Sequence, residues 1–356
     1  MAPRAHDSRG AADARSSALR AIAGCAVVLA SAAPLAFSSY HLFQLTLVVI
    51  YAIALLGLNI LTGYGGQISL GHGAFYGIGA YTTAILVHHL SVPYWLTLPC
   101  AGAICLVVGF LFGLPAVRLE GLHLALATFA LGVVFPQILK SRGIEGLTGG
   151  VQGITLEKVQ APFGLSLSPD QWLYCLSLLT ALVLFVVARN LMRGPTGRVI
   201  VAIRDRPVAA SSVGVDTALY KSLTFGFSAM YTGIAGALGA LAVQFVGPDS
   251  FGVFLSISLL VGVVVGGLAS ISGAVYGALF IQFVPNLADD VSKAAPSAVY
   301  GVVLVLSVYL MPRGVAGLVR RLSTGALVAR LGARNAARHA APVSPGTPVT
   351  QTKEGS

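Results

Sequence analysis

The side chains best suited to chemistry in this 356-residue sequence are few, and they gather in one glycine-rich stretch. Gly63, Gly65, Gly66, Gly71, Gly73, Gly77 and Gly79 punctuate an apolar run that also holds Gln67, Ser69 and His72. Glycine at this density brings helix backbones close together and also permits an unwound segment. An amide, a hydroxyl and an imidazole at lipid depth have two uses. They hydrogen-bond neighbouring helices, or they line a wet path for a polar solute. Both readings stand on the residues alone, and Gln244 and Gln282 pose the same choice.

No bond-breaking machinery accompanies them. The sequence has no G-x-x-x-x-G-K-[ST] phosphate loop, no H-E-x-x-H, no nucleophile elbow and no paired-carboxylate site. Cys25, Cys100, Cys105 and Cys175 lie inside apolar stretches, without C-x-x-C or a His/Cys spacing suited to a metal. They read as small core residues, and no metal site is expected. Arg118, Glu120 and His123 fall at the end of a span, where snorkelling and local pairing account for them. An enzyme is therefore not expected, and neither is a cofactor held by this chain.

The elements that must position these residues follow from composition. Hydrophobic residues make up 56% of the chain and charged residues only 10%, where soluble domains carry about a quarter. Such a chain has lipid as its main solvent. Apolar runs long enough to cross a core of about 30 Å are predicted as helices near 19–37, 42–61, 68–87, 96–114, 119–139, 171–188 and 223–246. Residues 253–287 form a long apolar stretch with a glycine- and serine-rich break at 266–273, and 298–311 close the series.

Charge sets the orientation and the count. The net charge is +10, yet no basic-aromatic motif suggests nucleic acid, and the basic residues lie between the apolar runs. Lys and Arg concentrate in cytoplasmic segments. They cluster at Arg4, Arg9, Arg15 and Arg20, at Arg189, Arg193, Arg198, Arg204, Arg206 and Lys221, and again from Arg313 to Lys353. Placing all three groups and Arg118 inside leaves only Lys140, Arg142, Lys158 and Lys293 outside, beside six acidic residues. That arrangement requires 253–287 to cross twice. The expected fold is an all-α, polytopic transmembrane helical bundle of about ten spans with cytoplasmic N- and C-termini. Residues 1–18 form a cytoplasmic tail, 19–318 the transmembrane domain, and 319–356 a disordered cytoplasmic tail poor in residues to bury. The alternative at the N-terminus is a signal peptide cleaved near Ala30-Ser31-Ala32-Ala33, which leaves every later span oriented as before.

The central loop at 189–222 carries its own punctuation. Pro207 suits the first position of a short helix, Asp205 adds a favourable charge near its start, and Gly214 suits the left-handed position that ends one. A single short helix between two spans makes a docking knob.

One block resembles a known family closely. Leu58-Asn59-Ile60-Leu61-Thr62-Gly63-Tyr64-Gly65-Gly66-Gln67-Ile68-Ser69-Leu70-Gly71-His72-Gly73 and its continuation to Tyr81 resemble the signature of the LivM branch of branched-chain amino acid ABC permeases. Further blocks match in order: Gly146-Leu147-Thr148-Gly149-Gly150, then Gly197-Arg198 through Arg204-Asp205 to Tyr220-Lys221, then Pro248-Asp249-Ser250-Phe251 into Gly266-Gly267-Leu268. Met311-Pro312-Arg313-Gly314 closes the last span, and the likeness covers roughly residues 40 to 318.

The resemblance implies a permease in the bacterial inner membrane, an importer component that forms the translocation path. It implies a second homologous permease subunit, two ATP-binding subunits that use the ATP, and a periplasmic solute-binding protein as partners. The coupling loop it implies comprises Arg198, Arg204, Asp205, Pro207, Ala209, Ala210, Gly214 and Lys221. Importers of this kind carry Glu-Ala-Ala followed three residues later by Gly on the docking helix. Here Ala209-Ala210 and Gly214 keep that spacing but Val208 stands where the glutamate would be. Gln67, Ser69 and His72 are the candidate path residues. Urea, short amides or aromatic acids are alternative solutes on the same scaffold. An ion-coupled secondary transporter is a more distant alternative, disfavoured because no acidic residue falls near mid-span.

Overall fold

A backbone in lipid must satisfy its own hydrogen bonds, and the long apolar runs accordingly fold as helices. The computed structural model describes residues 34, 38–116, 119, 121–162, 167–291, 293, 301–306, 309, 314–319 and 321. Helix α1 covers Ser39–Asn59 and passes into a π-helical turn at Ile60–Tyr64. Helices α2 (His72–Leu90), α3 (Tyr94–Ala116) and α4 (Leu122–Leu139) follow. A short α5 (Glu145–Thr148) leads to strand β1 (Ile154–Thr155). Next come α6 (Pro169–Arg193), α7 (Pro195–Asp205), α8 (Pro207–Ser212) and α9 (Thr217–Val243). Strand β2 (Phe245–Val246), α10 (Val253–Gly266) and α11 (Gly273–Val291) complete the series, and 301–306 are helical. The helical class is as expected. The one sheet among the described residues is the antiparallel pair β1–β2, with Ile154 opposite Val246.

Local chemistry sets the helix ends. Ser168 and Gln171 form a capping box at the start of α6, with Pro169 at its first position. The Asp216 carboxylate caps α9 by accepting from the Leu219 N–H at 3.0 Å.

The arrangement centres on two helices. Helix α9 packs against α1, α2 and α3, while α1 also packs against α6, α10 and α11. Their most apolar windows are 78% buried, whereas those of α3, α4 and α6 are 33% to 39% buried. The outer helices turn aliphatic faces outward, with Leu111, Leu126 and Val183 exposed. This inversion relative to a soluble protein is what lipid as solvent requires.

The inner contacts run through small residues. A Cβ on Gly79 of α2 would collide with the Gly233 carbonyl of α9, and one on Gly236 would collide with the Tyr76 carbonyl. Side chains are absent there because the two backbones touch. Gly109 and Gly113 of α3 meet Ala229 and Ser222 of α9, and Gly262 and Gly266 of α10 meet Gly277 and Gly273 of α11. The small-residue spacings therefore serve packing, as van der Waals contact between membrane helices favours.

Several expectations change in detail. Residues 68–71 are not helical, and α2 starts only at His72. The stretch 253–287 is broken at 267–272, as its glycines and serines predict, and α10 is only 14 residues long. At 1.5 Å per residue that helix is about 21 Å long, shorter than the hydrocarbon core. The central loop holds two helices, α7 and α8, rather than one. Charged residues hid α7 because it is amphipathic, burying only Gly197, Ile200 and Ile203. By length and composition, six helices among the described residues can cross a membrane, α10 only when taken with the 3-10 turn Pro248–Phe251 before it, and Gly273–Ala288 is a shorter apolar helix. Most of the expected span at 19–37, half of that at 298–311, the N-terminal tail and most of the C-terminal tail lie outside the described residues, as do Cys25, Arg118 and Glu120.

Candidate functional site

The break between α1 and α2 is where the unusual chemistry gathers. Gly66 takes φ +69°, a left-handed conformation that a side chain disfavours, and the chain then runs irregularly to Gly71. Irregular backbone at membrane depth must find hydrogen-bond partners in other elements. Thr128 of α4 accepts from the Leu70 N–H at 2.9 Å through its hydroxyl oxygen, and Ser256 of α10 accepts from the Gly73 N–H at 2.8 Å. Within the break, the Thr62 hydroxyl donates to the Gln67 carbonyl at 3.1 Å. Hydroxyls from two other helices thus replace the missing turns.

Ser69 and His72 are fully buried and joined in one chain. Ser69 Oγ lies 2.8 Å from His72 Nδ1, and His72 Nε2 lies 2.7 Å from Ser228 Oγ of α9. Ser228 in turn donates to the Gly57 carbonyl of α1 at 2.6 Å. Because Ser228 spends its proton on that carbonyl, its oxygen receives the Nε2–H. Both ring nitrogens are occupied, and the imidazole ties α1, α2 and α9 together. Gln67 lies apart from this chain and points its amide nitrogen at the Lys221 carbonyl, 3.4 Å away.

Asn59, at the last turn of α1, holds the other broken segment. Its Oδ1 accepts from the Ala269 N–H at 2.9 Å, and its Nδ2 donates to the Ser270 carbonyl at 2.7 Å and to Gly267 at 3.4 Å. One buried amide therefore satisfies three backbone groups of the 267–272 turn, each of which would otherwise cost about 1–3 kcal/mol unpaired. Ala269 at φ +55° shows how tightly that turn is drawn.

The central loop reaches the same place. Arg204, near the end of α7, donates from Nη1 to the Gly63 carbonyl at 2.8 Å and from Nε to Asp205 at 2.8 Å. Its methylene stem lies against Gly66, where a Cβ would crowd it. The π-turn and the first glycines are thus gripped by the hairpin turn through Asn59 and by the loop through Arg204. Among the described residues, helix α8 carries no such anchor, and most of its side chains face outward. Val208 and Val213 are 77% and 85% exposed, and Pro207, Ala209 and Gly214 are exposed beside them, while Ala210 is buried. Gly214, at φ +86°, has nothing within 4 Å of where a Cβ would stand. Arg198 is exposed on α7.

The loop residues and the glycine block, far apart in the sequence, therefore meet. Ser69 joins His72, and Arg204 and Lys221 reach the glycine segment. Asn59, Thr128, Ser228 and Ser256 were not singled out from the sequence. Asn59 carried a usable signal, an amide in an apolar run, whereas hydroxyls are too common in membrane helices to stand out. Of the two other glutamines, Gln244 ends α9 in a left-handed conformation and its carbonyl accepts from the Leu156 N–H at 2.8 Å. Gln282 pairs with Gln44.

A bundle of apolar helices around two broken segments, gripped by an amphipathic loop, defines a multi-pass membrane protein. The model of the family described as branched-chain amino acid transport system / permease component matches residues 40–310, and the chain belongs to that family. It is 32% identical over 328 residues to the high-affinity branched-chain amino acid transport system permease protein LivM of Escherichia coli K12, covering 84% of this chain and 76% of that protein. LivM of Salmonella typhimurium is 32% identical over 317 residues, covering 83% and 74%. The permease protein LivH of Salmonella typhimurium is 24% identical over 290 residues, covering 75% and 91%. No solved structure matches the chain significantly.

Proposed function

We propose that the chain is the LivM-type permease subunit of an ABC importer for branched-chain amino acids or related small polar solutes, working in the bacterial inner membrane. It crosses the membrane ten times, with both termini and the 189–222 loop in the cytoplasm. It pairs with a second, LivH-like permease, and both are driven by two ATP-binding subunits and supplied by a periplasmic binding protein. Hydrolysis takes place on the partners, and this chain contributes no nucleotide site of its own.

One observation carries the reading. Arg204 of α7, the helix that leads directly into the exposed α8, bonds the Gly63 carbonyl, so a push on the loop has a route to the break in the bundle. An exposed apolar pair, Val208 and Val213, on an otherwise basic loop suits a groove on a partner protein better than it suits water. Ser69 and His72 act by fixing the shape of the broken segment beside the path. Gln67 sits where that segment meets the loop.

Gly214→Trp tests the docking role. Open space around Gly214 leaves room for the ring outside the fold, with only the strain of a positive φ, of order 1 kcal/mol, acting on the chain. The variant is expected to insert at normal levels but to lose uptake and copurification of the ATP-binding subunits. Normal uptake by the inserted variant would remove α8 from the mechanism.

A further inference from the structure

Neutral amides collect on one face of α1 and α11 that the broken segments do not use. Gln282 of α11 donates to Gln44 Oε1 of α1 at 2.7 Å, and Asn286 donates to the same oxygen at 3.4 Å and to the Gln282 carbonyl at 3.2 Å. Gln44 donates in turn to the Tyr40 hydroxyl at 2.8 Å. Among the described residues, no hydrogen bond occupies Gln282 Oε1 or Asn286 Oδ1, and Asn286 is exposed.

The depth of this cluster makes it unusual. The span from Ser39 to Tyr64 has 26 residues and is about 39 Å long. A hydrocarbon core of about 30 Å centred on it takes in Gln44, five residues from its start. Elsewhere the outward faces five residues in from the same-side helix end are apolar, as Pro99 of α3 and Val134 of α4 show. Polar groups with spare acceptors at that depth belong against protein or a water-filled cavity, not against lipid.

We propose that Gln44, Gln282 and Asn286, braced by Tyr40, form a weak binding station for a zwitterionic small solute on the non-cytoplasmic half of the translocation path. The station rests on the permease reading and adds the residues that meet the solute. Carbonyl oxygens accept from an ammonium group and amide N–H groups donate to a carboxylate, so uncharged amides serve both ends of an amino acid. Without a fixed charge the station holds solute loosely, as passage requires. The occupied face of α1 and α11 then borders water between this chain and the second permease.

The test uses the whole transporter in intact cells, with Asn286→Cys compared with Val133→Cys on an aliphatic face. A charged, membrane-impermeant thiol reagent is expected to label Asn286→Cys many times faster than Val133→Cys, and excess L-leucine is expected to slow that labelling. Gln282→Leu is expected to raise the KM for L-leucine uptake about five- to tenfold, the loss of one hydrogen bond, with subunit content unchanged. Equal, slow labelling at both positions would place the face in lipid and overturn the station. So would fast labelling that L-leucine leaves unchanged, or cross-linking of Asn286→Cys to the second permease without labelling. Copurification of ATP-binding subunits with each variant reports on the permease reading separately.

Discussion

Replacing Gly79 with valine is expected to leave almost no folded protein in the membrane. The hydrogen at this position faces the backbone of Gly233, whose carbonyl oxygen, carbonyl carbon and Cα all stand where a Cβ would go. Backbone in the middle of α9 has nowhere to retreat, because that helix is wedged between α1, α2 and α3. Overpacking a core ordinarily costs about 1–3 kcal/mol when side chains can yield, and here no side chain is involved. Separating α2 from α9 would also stretch the Ser69–His72–Ser228 chain. Size-exclusion profiles of the detergent-extracted chain check this, with Gly146→Val as control because nothing lies within 4 Å of a Cβ there. The control should elute as the parent does, and the Gly79 variant should aggregate or vanish. A normal peak from Gly79→Val would mean that the α2–α9 crossing is wider than described.

Arg204→Ala is expected to break the link between ATP hydrolysis and uptake without emptying the membrane of protein. The guanidinium bonds the Gly63 carbonyl and the Asp205 carboxylate together, a fork geometry that lysine cannot reproduce. Hydrogen bonds to charged groups contribute about 1.5–3 kcal/mol, so losing the grip on Gly63 weakens the loop's hold by roughly ten- to a hundredfold. Arg204 sits on an exposed helix, and the bundle's core contacts do not depend on it. Solute transported per ATP hydrolysed by the reconstituted complex should fall at least tenfold in both Arg204→Ala and Arg204→Lys, by the same arithmetic. Full coupling in the alanine variant would show that the loop drives the bundle by another contact.

Sequence and structure agree where one residue's neighbours in the chain decide its fate. The apolar runs announced α1, α3, α6 and α9 because lipid rewards any helix of that length and hydropathy. Gly266 to Gly273 announced the break in the hairpin, and Pro207 with Gly214 announced α8. Agreement fails where distant partners decide. Ile68 and Leu70 extend the apolar run before α2, but Thr128, 58 residues away, claims the Leu70 N–H and holds that segment out of the helix. Asn59 acts on residues more than 200 positions ahead. The strands β1 and β2 form only because two loops far apart in the chain lie side by side, and no period of two precedes them. Glycine counts predicted close packing but not which pairs would touch.

The most direct test of the proposed drive is a photo-cross-link from the loop. A photoreactive amino acid in place of Val208, 77% exposed on α8, is irradiated in intact cells that make the full transporter. Mass spectrometry of the adducts should identify an ATP-binding subunit as the partner captured from this position. Adducts formed only with a protein on the outer side of the membrane would contradict the account, because α8 would then face away from any source of ATP.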